Sequence, residues 1–106
     1  MAKLRRIQHP QPVDDLEDAL RARARKLVQR GETRKAIVLL REACMRNEET
    51  AKLWTSYAAL LGSAGRIDDA RQAFWHAIWL RRTAGDELRA RSTQALLDRL
   101  DASVAA

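Results

Sequence analysis

The chain has 106 residues, with 20 Lys and Arg against 14 Asp and Glu, a formal charge of +6. That length suits one domain around one core and leaves little room for a deep catalytic cleft. Four Gly and two Pro exclude collagen-like and most loop-rich folds, a hydrophobic content of 46% argues against disorder, and the single cysteine, Cys44, excludes an internal disulfide or a cysteine-based zinc site. No apolar run approaches the roughly 20 residues that span a bilayer. The charged opening Met1-Ala-Lys-Leu-Arg-Arg is followed by no apolar stretch and is not a secretory signal. The expectation is a soluble, cytoplasmic protein.

In chain order, residues 1–12 form a basic tail: Lys3, Arg5 and Arg6 stand without an acid, and Pro10 and Pro12 deny a helix before Val13. Such a tail is either solvated or an arm for an acidic partner. A single domain then fills residues 13–106. Its first helix is expected from Asp14 or Asp15, with Asp14 capping and Glu17 at capping-box spacing. Leu16, Leu20, Ala24 and Leu27 give that helix an apolar face, and Gly31 stops it. Thr33 is placed as the cap of a second helix, whose inner face is Ile37, Leu40, Ala43 and Cys44. The polar stretch Asn47–Thr50 reads as a connection. A third helix carries Leu53, Trp54, Tyr57, Ala58, Leu60 and Leu61 and ends at Gly62 and Gly65. A fourth starts near Ile67, where Asp68 and Asp69 suit the positive end of the helix dipole. It turns Ala70, Phe74, Ala77 and Ile78 inward, and Arg81, Arg82 and Gly85 close it. A fifth runs from about Asp86 to Asp101, with Leu88, Ala95, Leu96 and Leu100 inward. No period-2 alternation persists long enough for a strand, so the fold class is all-α, five antiparallel helices with short connections.

Self-similarity carries the most information. Residues 17–50 align with 51–84 at a shift of 34: Leu20 meets Trp54, Ala24 meets Ala58, Leu27 meets Leu61, and Gly31 meets Gly65. Farther on, Ala36 meets Ala70, Leu40 meets Phe74, and Ala43 meets Ala77. Every pair keeps its size class. Small residues let the two helices of a hairpin approach, large ones fill the space beside them, and glycine supplies the turn. A single hairpin cannot bury its faces alone, so hairpins stack.

The spacing Trp54-x₂-Tyr57-Ala58-x₂-Leu61 … Gly65-x₄-Ala70-x₃-Phe74-x₂-Ala77 resembles the tetratricopeptide repeat (TPR), and residues 17–50 resemble a second copy with Leu20 in the tryptophan place. Neither copy ends in the family's proline; Glu48 and Arg82 stand there. The helical pentatricopeptide repeat has a period one residue longer and matches less well. The resemblance implies two hairpins and a capping helix over residues 85–102, stacked as a short right-handed solenoid, with Leu88 where Leu20 and Trp54 stand and Ser92 where Ala24 and Ala58 stand. It also implies that one face of the odd-numbered helices lines a concave groove that holds a partner.

No catalytic constellation is present. His9 and His76 are far apart, and His76 reads as an ordinary helix-surface residue with no acid or His one turn away. Cys44 reads as an inert core thiol, Gly62-Ser-Ala-Gly65 lacks the lysine of a phosphate loop, and no metal or cofactor site is expected. The function expected is non-enzymatic: an adaptor or scaffold for a protein or peptide. Arg21, Arg25 and Val28 share a helix face. With Lys52, Thr55, Ser56 and Ala59 of the third helix and Arg89 of the fifth, they form the expected partner-binding set. Arginine at the flanks favours carboxylates, so the expected ligand is an acidic or carboxylate-ended peptide. Compared with the chaperone-binding clamp of the family, Arg21 and Arg25 are present but Ser56 replaces an Asn. Trp75 and Trp79 lie off the core arc of the fourth helix and form a possible second interface, a homodimer contact if they are exposed. The competing class is a basic nucleic-acid accessory protein. Its support is the charge of +6, divided as +3 in the tail, −2 in residues 13–16, +3 in each repeat and −1 in residues 85–106. No reader motif of that class is visible.

Overall fold

A computed structural model describes the backbone of residues 12–105 and the side chains from Leu16 onward. Of the expected tail, residues 1–12, residues 1–11 lie outside the described residues, and Pro12 belongs to the first helix. Five helices follow one another: α1 (Pro12–Gln29), α2 (Thr33–Arg46), α3 (Ala51–Ser63), α4 (Ile67–Thr83) and α5 (Glu87–Ala105). Among the described residues there is no strand, so the fold is all-α. No helix is long and apolar enough to cross a membrane. Each helix packs on the next, most extensively α3 on α4, and α1 also touches α3.

The repeat is visible as matched burial. Ala24 and Ala58, Ala36 and Ala70, Leu40 and Phe74, and Ala43 and Ala77 are all buried, and the paired glycines Gly31 and Gly65 have φ of 79° and 82°. A left-handed backbone there closes the helix end: Arg66 N–H donates to Leu61 O at 2.9 Å and Gly65 N–H to Gly62 O at 3.1 Å, as Glu32 N–H does to Leu27 O at 2.8 Å and Gly31 N–H to Val28 O at 2.9 Å. Two carbonyls that the helix leaves unsatisfied are bonded this way, and only glycine takes the required φ without strain. The α2–α3 connection works without glycine. Asn47 donates its side-chain amide to Ala43 O at 2.9 Å.

Several boundaries differ from expectation. Pro12 is the first residue of α1, a position where its missing N–H costs nothing. The backbone at Asp14 and Glu17 therefore lies inside the helix. Thr33 is likewise the first residue of α2; Glu32 precedes it, and no side chain caps that end. Gly62 is the penultimate residue of α3, which ends between Gly62 and Gly65 as expected, and Leu100 of α5 packs over it: a Cβ at this position would meet Leu100 Cδ1 at 3.2 Å and the Ala70 Cβ at 3.8 Å.

The largest correction concerns α5. Leu88, Ala95 and Leu96 do not face inward; Leu88 is 79% exposed, and the buried residues are Ala90, Thr93 and Leu97, with Leu100 packed beside them. The cause is helix length. α4 has 17 residues where α2 has 14, so α5 starts two residues later than a 34-residue spacing would place it. Two residues turn a helix by about 200°. Positions 88 and 92 consequently rotate outward, and Ala90, two residues on, takes the place expected of Leu88. Asp86 caps the helix: its Oδ1 accepts the Arg89 backbone N–H at 3.1 Å.

Candidate partner-binding groove

Five of the eight expected groove residues line one cavity. Arg21, Arg25 and Val28 come from α1, and Ser56 and Ala59 from α3; Ala24, Leu40 and Leu60 complete a site of about 300 Å³. Arg21, Arg25 and Val28 meet because they lie at i, i+4 and i+7 on α1, and Ser56 and Ala59 present a small surface opposite. The floor is apolar, with Ala24 and Leu40 buried. Among the described residues neither arginine has an acidic partner. Both guanidiniums keep their full hydrogen-bonding capacity for a ligand beside an apolar floor.

Lys52 and Arg89 are elsewhere. They line a separate cleft of about 630 Å³ between the N-terminal half of α1, the start of α3 and the α4–α5 turn, together with Glu17, Asp18, Glu49, Arg81 and Asp86. This cleft is paired within itself. Lys52 Nζ lies 3.7 Å from Glu17 Oε1 and 3.5 Å from Asp18 Oδ1, and Arg89 lies 3.0 Å from Asp86 Oδ2. The Arg89 backbone N–H and then its side chain hold the Asp86 carboxyl below its ordinary range. Burial lowers the Arg81 pKa, and the charges of Asp86 and Glu17 act against that push. The single arginine-flanked groove expected from the sequence is therefore two sites, one with unpaired cations and one in which Lys52 and Arg89 are already paired with acids. Thr55 lines neither; its hydroxyl donates to Ala51 O in its own helix at 2.8 Å. Sequence reading missed the roles of Leu40, Leu60, Glu17 and Arg81. Glu17 carried one signal, an acid that falls between the apolar positions Leu16 and Leu20 and is almost fully buried here.

Trp75 and Trp79 are 57% and 59% exposed, and α5 does not cover them. Trp79 is held in place by His76, whose ring stacks on it at 6.0 Å and 22°. His76 in turn meets Trp54 edge-on at 4.4 Å. It is half-buried between two indoles and is not an ordinary surface histidine. Trp54 Nε1–H donates to Glu48 O at 3.0 Å, and His76 Nε2 lies 3.3 Å from the same oxygen, which ties α4 to the α2–α3 connection. Cys44 is buried in the core, and burial pushes its thiol up to about 12. No family model, curated protein or solved structure matches the chain.

Proposed function

We propose that this chain is a non-enzymatic, cytoplasmic adaptor of the TPR type, its hairpins stacked as a short right-handed solenoid, that holds an acidic or carboxylate-ended peptide in the groove between α1 and α3. The observation that carries this reading is the cavity itself: an apolar floor of Ala24, Leu40 and Leu60 rimmed by Arg21 and Arg25 with no internal acid to neutralise them. An apolar side chain fills the floor, and a carboxylate pairs with the guanidiniums in bidentate geometry. Each such contact at a partly exposed site contributes about 1 kcal/mol or less.

The test uses fluorescein-labelled peptides with an apolar last residue, as the free acid and as the C-terminal amide, and with acidic or neutral upstream residues. Tight binding of the free-acid or acidic forms, weakened when Arg21 and Arg25 are both changed to Glu, supports the reading. Equal affinity for charged and neutral peptides, or a double variant that binds normally, overturns it. A second contact surface is supported by the exposure of Trp75 and Trp79, which form an apolar ridge suited to self-association.

A further inference from the structure

A third cavity, of about 450 Å³, lies where α2, α3 and α4 meet, on a different face of α3 from the peptide groove. Its wall is aromatic: Trp54, Tyr57 and His76. Arg41 and Arg66 stand on its charged side, with Asp69 and Gln72 beside them. Tyr57 is nine-tenths buried, yet its hydroxyl has no hydrogen-bond partner among the described residues, and it is not among the atoms sealed from solvent. A buried tyrosine ordinarily satisfies its hydroxyl. Here the hydroxyl opens on the cavity, where the charges of Arg41 and Arg66 oppose the upward push of burial on its pKa.

The charged groups are unequally engaged. Arg66 is held by Asp69 Oδ2, from Nε at 3.1 Å and from Nη2 at 2.7 Å, which leaves Asp69 Oδ1 without a partner. Arg41 is exposed and makes no ion pair among the described residues. The cavity thus offers flat aromatic surface, one uncommitted guanidinium beside a hydroxyl, and a carboxylate oxygen next to a side-chain amide. Its size is that of small-molecule sites. Aromatic walls take a planar ring, Arg takes a phosphate, and a carboxylate oxygen accepts from an exocyclic amine. A purely apolar ligand would leave Arg41 and the Tyr57 hydroxyl unanswered, and inorganic phosphate alone would leave the aromatic wall unused.

We propose that this cavity binds a mononucleotide whose base carries an exocyclic amine, with the ring against Trp54 and His76, the amine at Asp69 and Gln72, and the phosphate at Arg41 and the Tyr57 hydroxyl. The site is independent of the peptide groove, so a failure of one reading leaves the other intact.

The test titrates AMP, CMP and UMP into the full chain, followed by tryptophan fluorescence and calorimetry, with adenosine, inorganic phosphate and phenyl phosphate as partial ligands. Saturable binding of AMP below millimolar concentration is expected, with CMP about fivefold or more tighter than UMP, because UMP sets a carbonyl against Asp69 Oδ1. Arg41→Gln should weaken AMP about tenfold or more at unchanged melting temperature, since Arg41 has no ion pair to lose. Tyr57→Phe, which keeps the ring in the core, should weaken it by a smaller factor. Arg21→Glu with Arg25→Glu should leave AMP binding unchanged. No saturation at millimolar AMP, adenosine or phenyl phosphate binding as tightly as AMP, UMP equal to CMP, or an Arg41→Gln variant that binds normally each overturns the proposal.

Discussion

Ala58 and Ala70 have no exposed surface and sit in the core where α3 and α4 pack. Any larger side chain there must push two helices apart. Ala58→Leu or Ala70→Leu should cost about 1–3 kcal/mol or more, read as a lowered denaturation midpoint; a wild-type midpoint would contradict close packing at these positions. Cys44 makes a different residue-scale prediction. Its thiol is raised by burial from 9.0 to about 12. The unfolded chain loses that proton first as pH rises, so the folded state is favoured fully below pH 9 and loses this contribution progressively toward pH 12. Tyr57, also raised by burial, acts with the same sign. Cys44→Ala should therefore show a shallower alkaline loss of stability than the wild type in denaturant melts taken across that window. In the native protein at pH 8 the thiol should resist alkylation until the chain unfolds; fast labelling of the folded form would refute its burial.

At the scale of the element, α5 shows how a helix of the expected type can be turned the wrong way by a neighbour. Its apolar residues divide between two faces: Leu97 is buried and Leu88 is exposed. Leu97→Ala should cost about 2–5 kcal/mol, whereas Leu88→Ser should change stability by about 0.5 kcal/mol or less. Equal effects in thermal melts would mean that α5 keeps the 34-residue register after all. The first and third helices diverge in a comparable way. α3 buries Leu53 and Tyr57, and one repeat earlier those places on α1 belong to Ala19 and Arg23, both exposed. The same face that is core in the second hairpin is solvent-facing in the first, with Lys26 and Arg30 exposed beside it. This explains why residues 17–50 look like the weaker copy. They keep the contacts within the hairpin, while the face that is buried on α3 is exposed on α1.

Across the whole molecule, the two repeats have equal formal charge but unequal pairing. In the second half, Arg66 pairs with Asp69, Arg71 with Asp68 and Asp101, Arg82 with Glu87, Arg89 with Asp86, and Arg91 with Glu87. In α1, Arg21, Arg23, Arg25, Lys26 and Arg30 have no acidic partner among the described residues. The cations without an ion pair among the described residues are therefore concentrated on the first hairpin, although the two repeats carry the same formal charge. Association of an anionic partner with that hairpin should be fast at low salt and slow markedly by about 0.5 M; a rate independent of salt, measured by stopped flow, would place the partner elsewhere. The Trp75–Trp79 ridge makes a separate whole-molecule prediction. The wild type should self-associate in sedimentation velocity at high concentration, and the Trp75→Ala/Trp79→Ala variant should not. Monomers in both cases would leave the ridge without a role in self-association.

The sequence by itself determined what is local or periodic. Five helices were legible because their apolar residues recur at helical spacing. The turns at Gly31, Gly65 and Gly85 were legible because few residues other than glycine adopt the positive φ they need. The pairing of Arg21 and Arg25 with Val28 was legible because residues one turn apart share a face. Tertiary structure alone decided the rest. Whether Arg89 joins Arg21 depends on where Asp86 and the α4–α5 turn come to lie, and whether Leu88 or Leu97 is buried depends on the extra length of α4. The exposure of Trp75 and Trp79 depends on α5 packing against the other side of α4. Each of these is a question of rotation about a helix axis or of contact between residues distant in sequence. A spacing of 34 residues constrains such geometry only while every helix keeps the same length, and α4 does not.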